Sequence, residues 1–302
     1  MSDPSTRRAA INVDIDALHL YYRIHGLAAG GVEDAVWSCG VPRFAELFDA
    51  LGVRATFFVV ARDLEDNRAA RDMAESLVKA GHELASHSLT HPYDLVRLSD
   101  AALADELDGA AAILGQVRGR PIAGFRAPGY TMTPRVFEAL GRRGYTYDSS
   151  LFPCPPYYLA KLGVLALMAL RGRRSESIVG PPGVMWADRL PHRRPEGPLV
   201  EFPVTVLPVT RFPVIGTSLL ALGERGWDLI RGAVLKLPFV NLELHGIDLC
   251  DLTQDRIDPV LRRQPDLKVR LARKRPLLTR IFRELRDSHG IATLEQLATE
   301  FA

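Results

Sequence analysis

In the segment 82–94, HELASHSLTHPYD, His87 and His91 lie four residues apart, directly behind an alternating, strand-like run. A neutral imidazole is a good ligand for zinc and similar divalent ions, and a pair at i and i+4 can converge on one ion from a single turn. With one carboxylate they complete a two-histidine, one-carboxylate face that leaves positions open for water and substrate. Such a pair also arises by chance, so the source of the carboxylate matters. The stretch NVDID, residues 12–16, offers two candidates, because Asp14 and Asp16 are two apart on a candidate strand and project to the same side. Two carboxylates on one interior face repel unless a cation or an arginine lies between them. An aspartate capping the next helix would explain either residue alone, but not the pair.

Two further stretches carry polar residues at the ends of apolar runs. In GFRAPGYT, 124–131, Arg126 closes a strand and Pro128 with Gly129 forces a turn. A guanidinium buried there needs a carboxylate, for which Asp14 is the natural partner; an exposed arginine beside an ordinary loop is the alternative. The backbone N–H groups after Pro128 could point at a developing oxyanion. In VNLELHGIDL, 240–249, His245 ends a mostly apolar strand, where a hydrogen-bonded core histidine is the ordinary explanation. It gains weight from lying, like the other three constellations, at the C-terminal end of a candidate strand, where parallel α/β folds place their active sites.

The elements that must position these residues are legible as an alternation. Candidate strands occupy 10–15, 55–60, 83–86, 122–126, 145–148, 199–206 and 240–245, and helical patterns occupy 67–80, 100–114 after Ser99, and 134–143 with Thr133 as N-cap. Thr293 and Gln296 make a capping-box pair for a last helix. Strand and helix in turn predict a parallel α/β fold, and seven strands suit a barrel better than a short open sheet. Residues 152–198 break the pattern and read as an insertion over one barrel mouth, within a single domain spanning 1–302.

Composition narrows the setting. The chain of 302 residues is 47% hydrophobic, enough for a buried core, and its net charge of +2 gives no reason to expect nucleic acid as a partner. Cys39, Cys154 and Cys250 lack the pairing of a disulfide framework or zinc ribbon, which suits a reducing compartment. The start, MSDPSTRRAAINVDID, has no apolar run of a secretion signal, so a cytoplasmic location is expected. The most apolar stretch, 157–170, falls short of the roughly 20 residues of a membrane span, although it could lie on a bilayer.

In order and spacing the four stretches resemble the motifs of the NodB-homology polysaccharide deacetylases, carbohydrate esterase family 4. NVDID, HSLTH, FRAP and LELH carry the resemblance over about 12–248, ATFFVV and GHEL add to it, and the VDID form is similar to the branch with a D-x-D first motif. The resemblance implies a distorted (β/α)7-type barrel and hydrolysis of an N-acyl group, acetyl or formyl, from an amino sugar. It implies Asp14 as general base held by Arg126, and Asp16, His87 and His91 as ligands of one divalent ion, zinc first, with cobalt, nickel and iron(II) admissible. It also implies His245 as general acid and the N–H of Gly129 or Tyr130 as oxyanion donor. The family's Asp-x-x-Asp-Trp motif is half present in DSSLF, 148–152, so Asp148 is a candidate by position to orient His245, with Asp188 or Glu201 as substitutes. His19 and His25 could line the substrate groove.

For the substrate, the apolar run 157–170 ends in Arg171, Arg173 and Arg174, the make-up of a segment lying in an anionic membrane surface, or of an ordinary helix on the barrel. A second basic run, 262–286, either forms a solvated face or meets lipid phosphates. Together they favour a lipid-linked or glycolipid cell-envelope precursor and peripheral membrane contact through 157–174. In outline this is similar to the lipid-linked formamidoarabinose deformylases. The competing expectations are an allantoinase-like hydrolase of a small cyclic amide or ureide, and a catalytically silent carbohydrate- or lipid-binding protein.

Overall fold

A computed structural model describes residues 7–27, 34–170, 178–180 and 182–301. Its strands are β1 (Arg8–Ile15), β2 (Thr56–Val59), β3 (Glu83–Ser86), β4 (Gly124–Phe125), β5 (Tyr147–Asp148), β6 (His192–Arg193), β7 (Val200–Glu201), β8 (Phe239–His245) and β9 (Gly290–Ile291). Its helices are α1 (Leu18–Ile24), α2 (Val41–Leu51), α3 (Arg62–Asp66), α4 (Arg68–Lys79), α5 (Asp100–Arg118), α6 (Pro134–Arg142), α7 (Pro155–Leu170), α8 (Gly216–Val234), α9 (Leu271–Ser288) and α10 (Leu294–Glu300). Each expected strand coincides with one of these: β1 and β8 begin one or two residues earlier, β3 matches its expected bounds, and β2, β4, β5 and β7 are shorter.

The hydrogen-bonded order is β6-β7-β5-β4-β3-β2-β1-β8, with β9 beside β1. From β7 to β8 every neighbour is parallel, and β6 alone in that path is antiparallel to its neighbour. The sheet curls until the chain after β7 meets β8 without a ladder: the Thr205 N–H donates to the Asn241 carbonyl (3.1 Å), the Asn241 N–H to Thr205 Oγ1 (2.7 Å), and Ile215 bridges to Glu243. The fold is the distorted (β/α)7-type barrel, closed on one side by these few bonds.

Strand alternation sorts the residues between two environments. On β1, Ala9, Ile11, Val13 and Ile15 pack outward against the helices, while Ala10 joins Phe58, Ala85, Tyr147, Phe202 and Phe239 inside the barrel. Asn12 and Asp14 share the inward side with Ala10. On β8, Val240, Leu242 and Leu244 pack outward, which leaves Asn241, Glu243 and His245 inward, and register sets Asp14 opposite His245. Gly124 is required by this interior, because a Cβ there would meet the Tyr147 ring at 1.8 Å. Tyr147 crosses to donate its hydroxyl to buried Glu83 (2.7 Å).

Local signals act largely where the sequence puts them. Ser99 caps α5 through the Ala102 N–H, Asn67 caps α4 through the Ala70 N–H, and Thr293 and Gln296 form a reciprocal box on α10. Thr133 occupies the N-cap position of α6, but its side chain makes no cap bond. Within 152–198, α7 stands on a small cluster of Phe152, Cys154, Tyr130, Val204 and Ile215, with Tyr157 packed against it. Its outer side exposes Leu159, Leu162, Leu167 and Leu170. Arg171, Arg173 and Arg174 lie outside the described residues. Among the described residues, no helix is long and apolar enough to cross a membrane.

Candidate active site

The C-terminal ends of β1, β3, β4 and β8 open into a cavity of ≈ 480 Å³ whose walls include Asp14, Asp16, His87, His91, Gly129, Tyr130 and His245. Arg126 lies beneath it, with none of its surface exposed. Its Nη1 donates to Asp14 Oδ1 (2.6 Å), Nη2 to Asn12 Oδ1 (2.5 Å) and Ser149 Oγ (2.7 Å), and Nε to the Ser149 carbonyl (2.8 Å). The guanidinium also stacks 4.1 Å over the Phe58 ring. Burial opposes its charge, but Asp14 and Glu243 outweigh that and raise its pKa above the ordinary arginine value. The fork thus fixes one oxygen of Asp14 and leaves Oδ2 toward the cavity, 3.9 Å from His87 Nε2.

Asp16 sits among three imidazoles. Its Oδ1 is 3.5 Å from His87 Nε2 and 3.4 Å from His91 Nε2, and its Oδ2 is 3.9 Å from His245 Nε2. Burial alone would raise the Asp16 pKa, yet His91, His87 and His245 together hold it below the usual value. His91 is pushed down to about 3 by burial, so its ring is neutral at physiological pH. His87 donates from Nδ1 to the Arg126 carbonyl (2.8 Å), which turns the Nε2 lone pair toward Asp16.

The two histidines do not share a helical turn. Backbone at Ser88 (φ 65°) and His91 (φ 59°) is left-handed, a conformation that costs a non-glycine residue energy and persists only when its surroundings enforce it. The enforcement comes from α5: buried Glu106 accepts from the N–H groups of Leu89 and Thr90 (3.0 Å each) and from the Thr90 hydroxyl (2.6 Å). Glu106 is invisible as a site residue in the sequence, where it reads as one more acidic position on an amphipathic helix.

Among the described residues, two groups of donors could hold a metal ion: Asp16 with His87 and His91, and Asp14 with Glu243 and His245. The first fits better. Asp16 Oδ1 is buried without a hydrogen-bond partner, and two imidazoles beside one carboxylate are a donor set suited to a divalent ion. In the second group, Asp14 is already paired to the Arg126 cation, which would repel a metal, and Glu243 is engaged by His245 and Tyr130.

Glu243 was not among the expected site residues. Its Oε1 is 3.0 Å from His245 Nδ1 and accepts the Tyr130 hydroxyl at 3.1 Å. Burial opposes protonation of His245, but Glu243, then Asp16, Asp14 and Asp248, push its pKa up to about 10. The signal was available, since Glu243 and His245 are two apart on one strand, like Asp14 and Asp16. The residues expected to orient His245 lie elsewhere. Asp148 is fully buried, accepts from the N–H and hydroxyl of Ser150 (2.8 Å each), and does not line the cavity. Ser150 in turn accepts from the Ala127 N–H (2.8 Å), so Asp148 braces the turn after Arg126 instead of the imidazole. Glu201 accepts from the Leu151 N–H (3.0 Å), and Asp188 is exposed.

The turn itself carries left-handed backbone at Gly129 (φ 66°) and Tyr130 (φ 61°). The Tyr130 N–H donates to the Ala127 carbonyl (3.1 Å), so of the two expected oxyanion donors it is Gly129 that stays a candidate. His25 lines the cavity, whereas His19 stands 4.0 Å from Asp63 and is not among the lining residues.

Residues 32–147 match the model of the polysaccharide deacetylase family. That stretch resembles the polysaccharide deacetylases in sequence, and the fold resembles theirs. Among curated relatives, the peptidoglycan deacetylase-like protein FGM2 of Gibberella zeae is 29% identical over 37% of this chain and 32% of its own length. Peptidoglycan deacetylase of Helicobacter pylori is 27% identical over 44% of this chain and 43% of its own. The chain therefore spans less than half the length of these relatives. A solved polysaccharide deacetylase structure from Mycobacterium smegmatis, described there as putative, superposes with a TM-score of 0.62 at 19% identity, covering 99% of this chain and 91% of the other. The stretch matched to the polysaccharide deacetylase family contains His87, His91, Arg126, Gly129 and Tyr130. Asp14, Asp16, Glu243 and His245 lie outside it and join them only through the barrel.

Proposed function

We propose that the chain is a metal-dependent N-deacylase acting on an amino sugar, removing an acetyl or formyl group. The observation that carries the reading is the convergence, in one cavity, of a metal-suited set (Asp16, His87, His91), an arginine-held carboxylate (Asp14) and a carboxylate-held imidazole (His245). A silent binding protein has no need of all three.

Asp16, His87 and His91 would hold the ion. When bound, a divalent ion supplies Lewis-acid polarisation of the amide carbonyl and a more acidic water. Asp14, with Oδ1 fixed by Arg126, presents Oδ2 to accept the proton of the attacking water. The Gly129 N–H is the backbone donor placed to meet the oxyanion of the tetrahedral species. His245, kept protonated by Glu243, donates its proton to the departing nitrogen, so the amine leaves neutral instead of as an untenable amide anion.

For the substrate we favour a lipid-linked amino sugar handled at the membrane surface. Much of the cavity lining is apolar, with Val164, Leu165 and Met168 of α7 and Ile215 lining it alongside the proposed catalytic groups. The exposed leucines of α7 and the basic residues Arg262, Arg263 and Lys268, which flank Gln264, Pro265 and Asp266 on the cavity wall, suit an anionic bilayer. Part of the basic run is spent internally: Lys274 is buried and donates to the Cys250 carbonyl (2.7 Å), and Arg280 pairs with Glu224, Asp228 and Glu284. A small ureide would make no use of the apolar wall. Mass-spectrometric screening of soluble and lipid-linked N-acetyl and N-formyl amino sugars tests the reading. Loss of 42 or 28 Da, roughly the mass of acetyl or formyl exchanged for hydrogen, supports it, and intact substrates throughout a panel incubated with metal-loaded protein oppose it.

A further inference from the structure

Helix α7 is built inside out. An ordinary surface helix buries its leucines and points its lysines at water. Here Leu159, Leu167 and Leu170 are 65%, 48% and 85% exposed, while Lys161, the one charged residue in Pro155–Leu170, turns inward and lines the same cavity as Asp16, His91 and His245. Its ammonium lies against the turn after Arg126, so that a Cβ on Gly129 would sit 3.6 Å from Nζ, and it is 5.7 Å from the centre of the Tyr157 ring. Asp14, Asp16 and Asp266 face the cavity too, yet among the described residues Lys161 makes no ion pair with them or with any other carboxylate. Burial by itself pushes its pKa down to about 8, a cost that no partner offsets. A half-buried, unpaired ammonium at the junction of polar and apolar walls is what an amphipathic anion would complete.

Resting on the proposed N-deacylation, we propose that Lys161 is the recognition cation for a phosphate group carried by the substrate, between the amino sugar at the polar wall and an apolar chain along α7. The inward lysine and the outward leucines of one helix then serve successive parts of one ligand.

The test is calorimetric binding of N-acetylglucosamine 1-phosphate and of N-acetylglucosamine to the metal-loaded protein and to its Lys161→Met and Lys161→Arg variants. Methionine keeps the apolar stem, and thermal melting checks that each variant folds. The phosphorylated sugar should bind wild type at least about tenfold more tightly than the neutral one. That preference should vanish in Lys161→Met and return in part in Lys161→Arg, with the neutral sugar unaffected. No preference in wild type, a preference that survives Lys161→Met, or equal weakening of both sugars overturns the proposal. Because the readout is binding, a protein that prefers the phosphate through Lys161 but hydrolyses neither sugar nor its lipid-linked counterpart would refute the deacylase reading while leaving the anion site standing.

Discussion

The Glu243 carboxylate lies 3.0 Å from Nδ1 of His245, two residues further along the same strand. This pair does for the proposed general acid what Arg126 does for Asp14 in fixing its orientation, and it also keeps the imidazole charged. A histidine whose pKa is raised from 6.5 to about 10 stays protonated across the physiological range. The same shift is linked to folding. The imidazolium contributes its full stabilisation below pH 6.5 and loses it as the pH rises through about 10.

Replacing Glu243 by glutamine should therefore lower the His245 pKa, since Glu243 is the largest of the groups that raise it. Turnover should fall by about 10- to 100-fold, and the alkaline limb of the pH–rate profile should move down by about one unit or more. The pH dependence of kcat for wild type and Glu243→Gln measures this. An alkaline limb in the same place for both would remove Glu243 from the proton-donating unit.

Purified protein should carry close to one divalent ion per chain. His87→Ala and His91→Ala should each lose most of it, as read by inductively coupled plasma mass spectrometry. Full occupancy in both variants would sink the assignment of the ion to this triad. Glu106→Ala touches no ligand, but should weaken metal affinity by about 10- to 100-fold, because the loop that presents His91 loses its acceptor for two backbone N–H groups.

Asp14→Asn should keep the metal and abolish turnover, since an amide cannot accept the proton of the attacking water. Unchanged activity would reassign the base. Arg126→Met removes the counter-ion of a buried carboxylate and strands Asn12 and Ser149 as well. Urea unfolding should register a loss of about 3–5 kcal/mol, and Arg126→Lys should not restore it, because an ammonium cannot reproduce the fork.

Changing Leu159, Leu167 and Leu170 together to glutamate should reduce co-sedimentation with anionic vesicles without affecting the melting temperature, because all three side chains are exposed. Equal sedimentation of wild type and variant would argue that α7 does not meet a bilayer.

Much of this protein is written locally. The β-rich runs, the spacing of HSLTH, the two aspartates of NVDID and the proline turn after Arg126 name most of the residues that meet in the cavity, because strand alternation is a property of consecutive residues. The barrel followed from the same alternation of strand and helix. What consecutive residues do not carry is who stands across the barrel. Only the folded chain sets the Tyr130 hydroxyl on Glu243 and turns Asp148 toward Ser150 and the turn after Arg126 instead of toward His245. Only the folded chain brings Glu106 under the 88–91 loop and Lys161 inside a helix whose leucines face out. The physical reason is the same in each case. Charge pairing and burial act through space over a few ångströms, and it is the closure of the sheet, not the order of the residues, that decides which groups come that close.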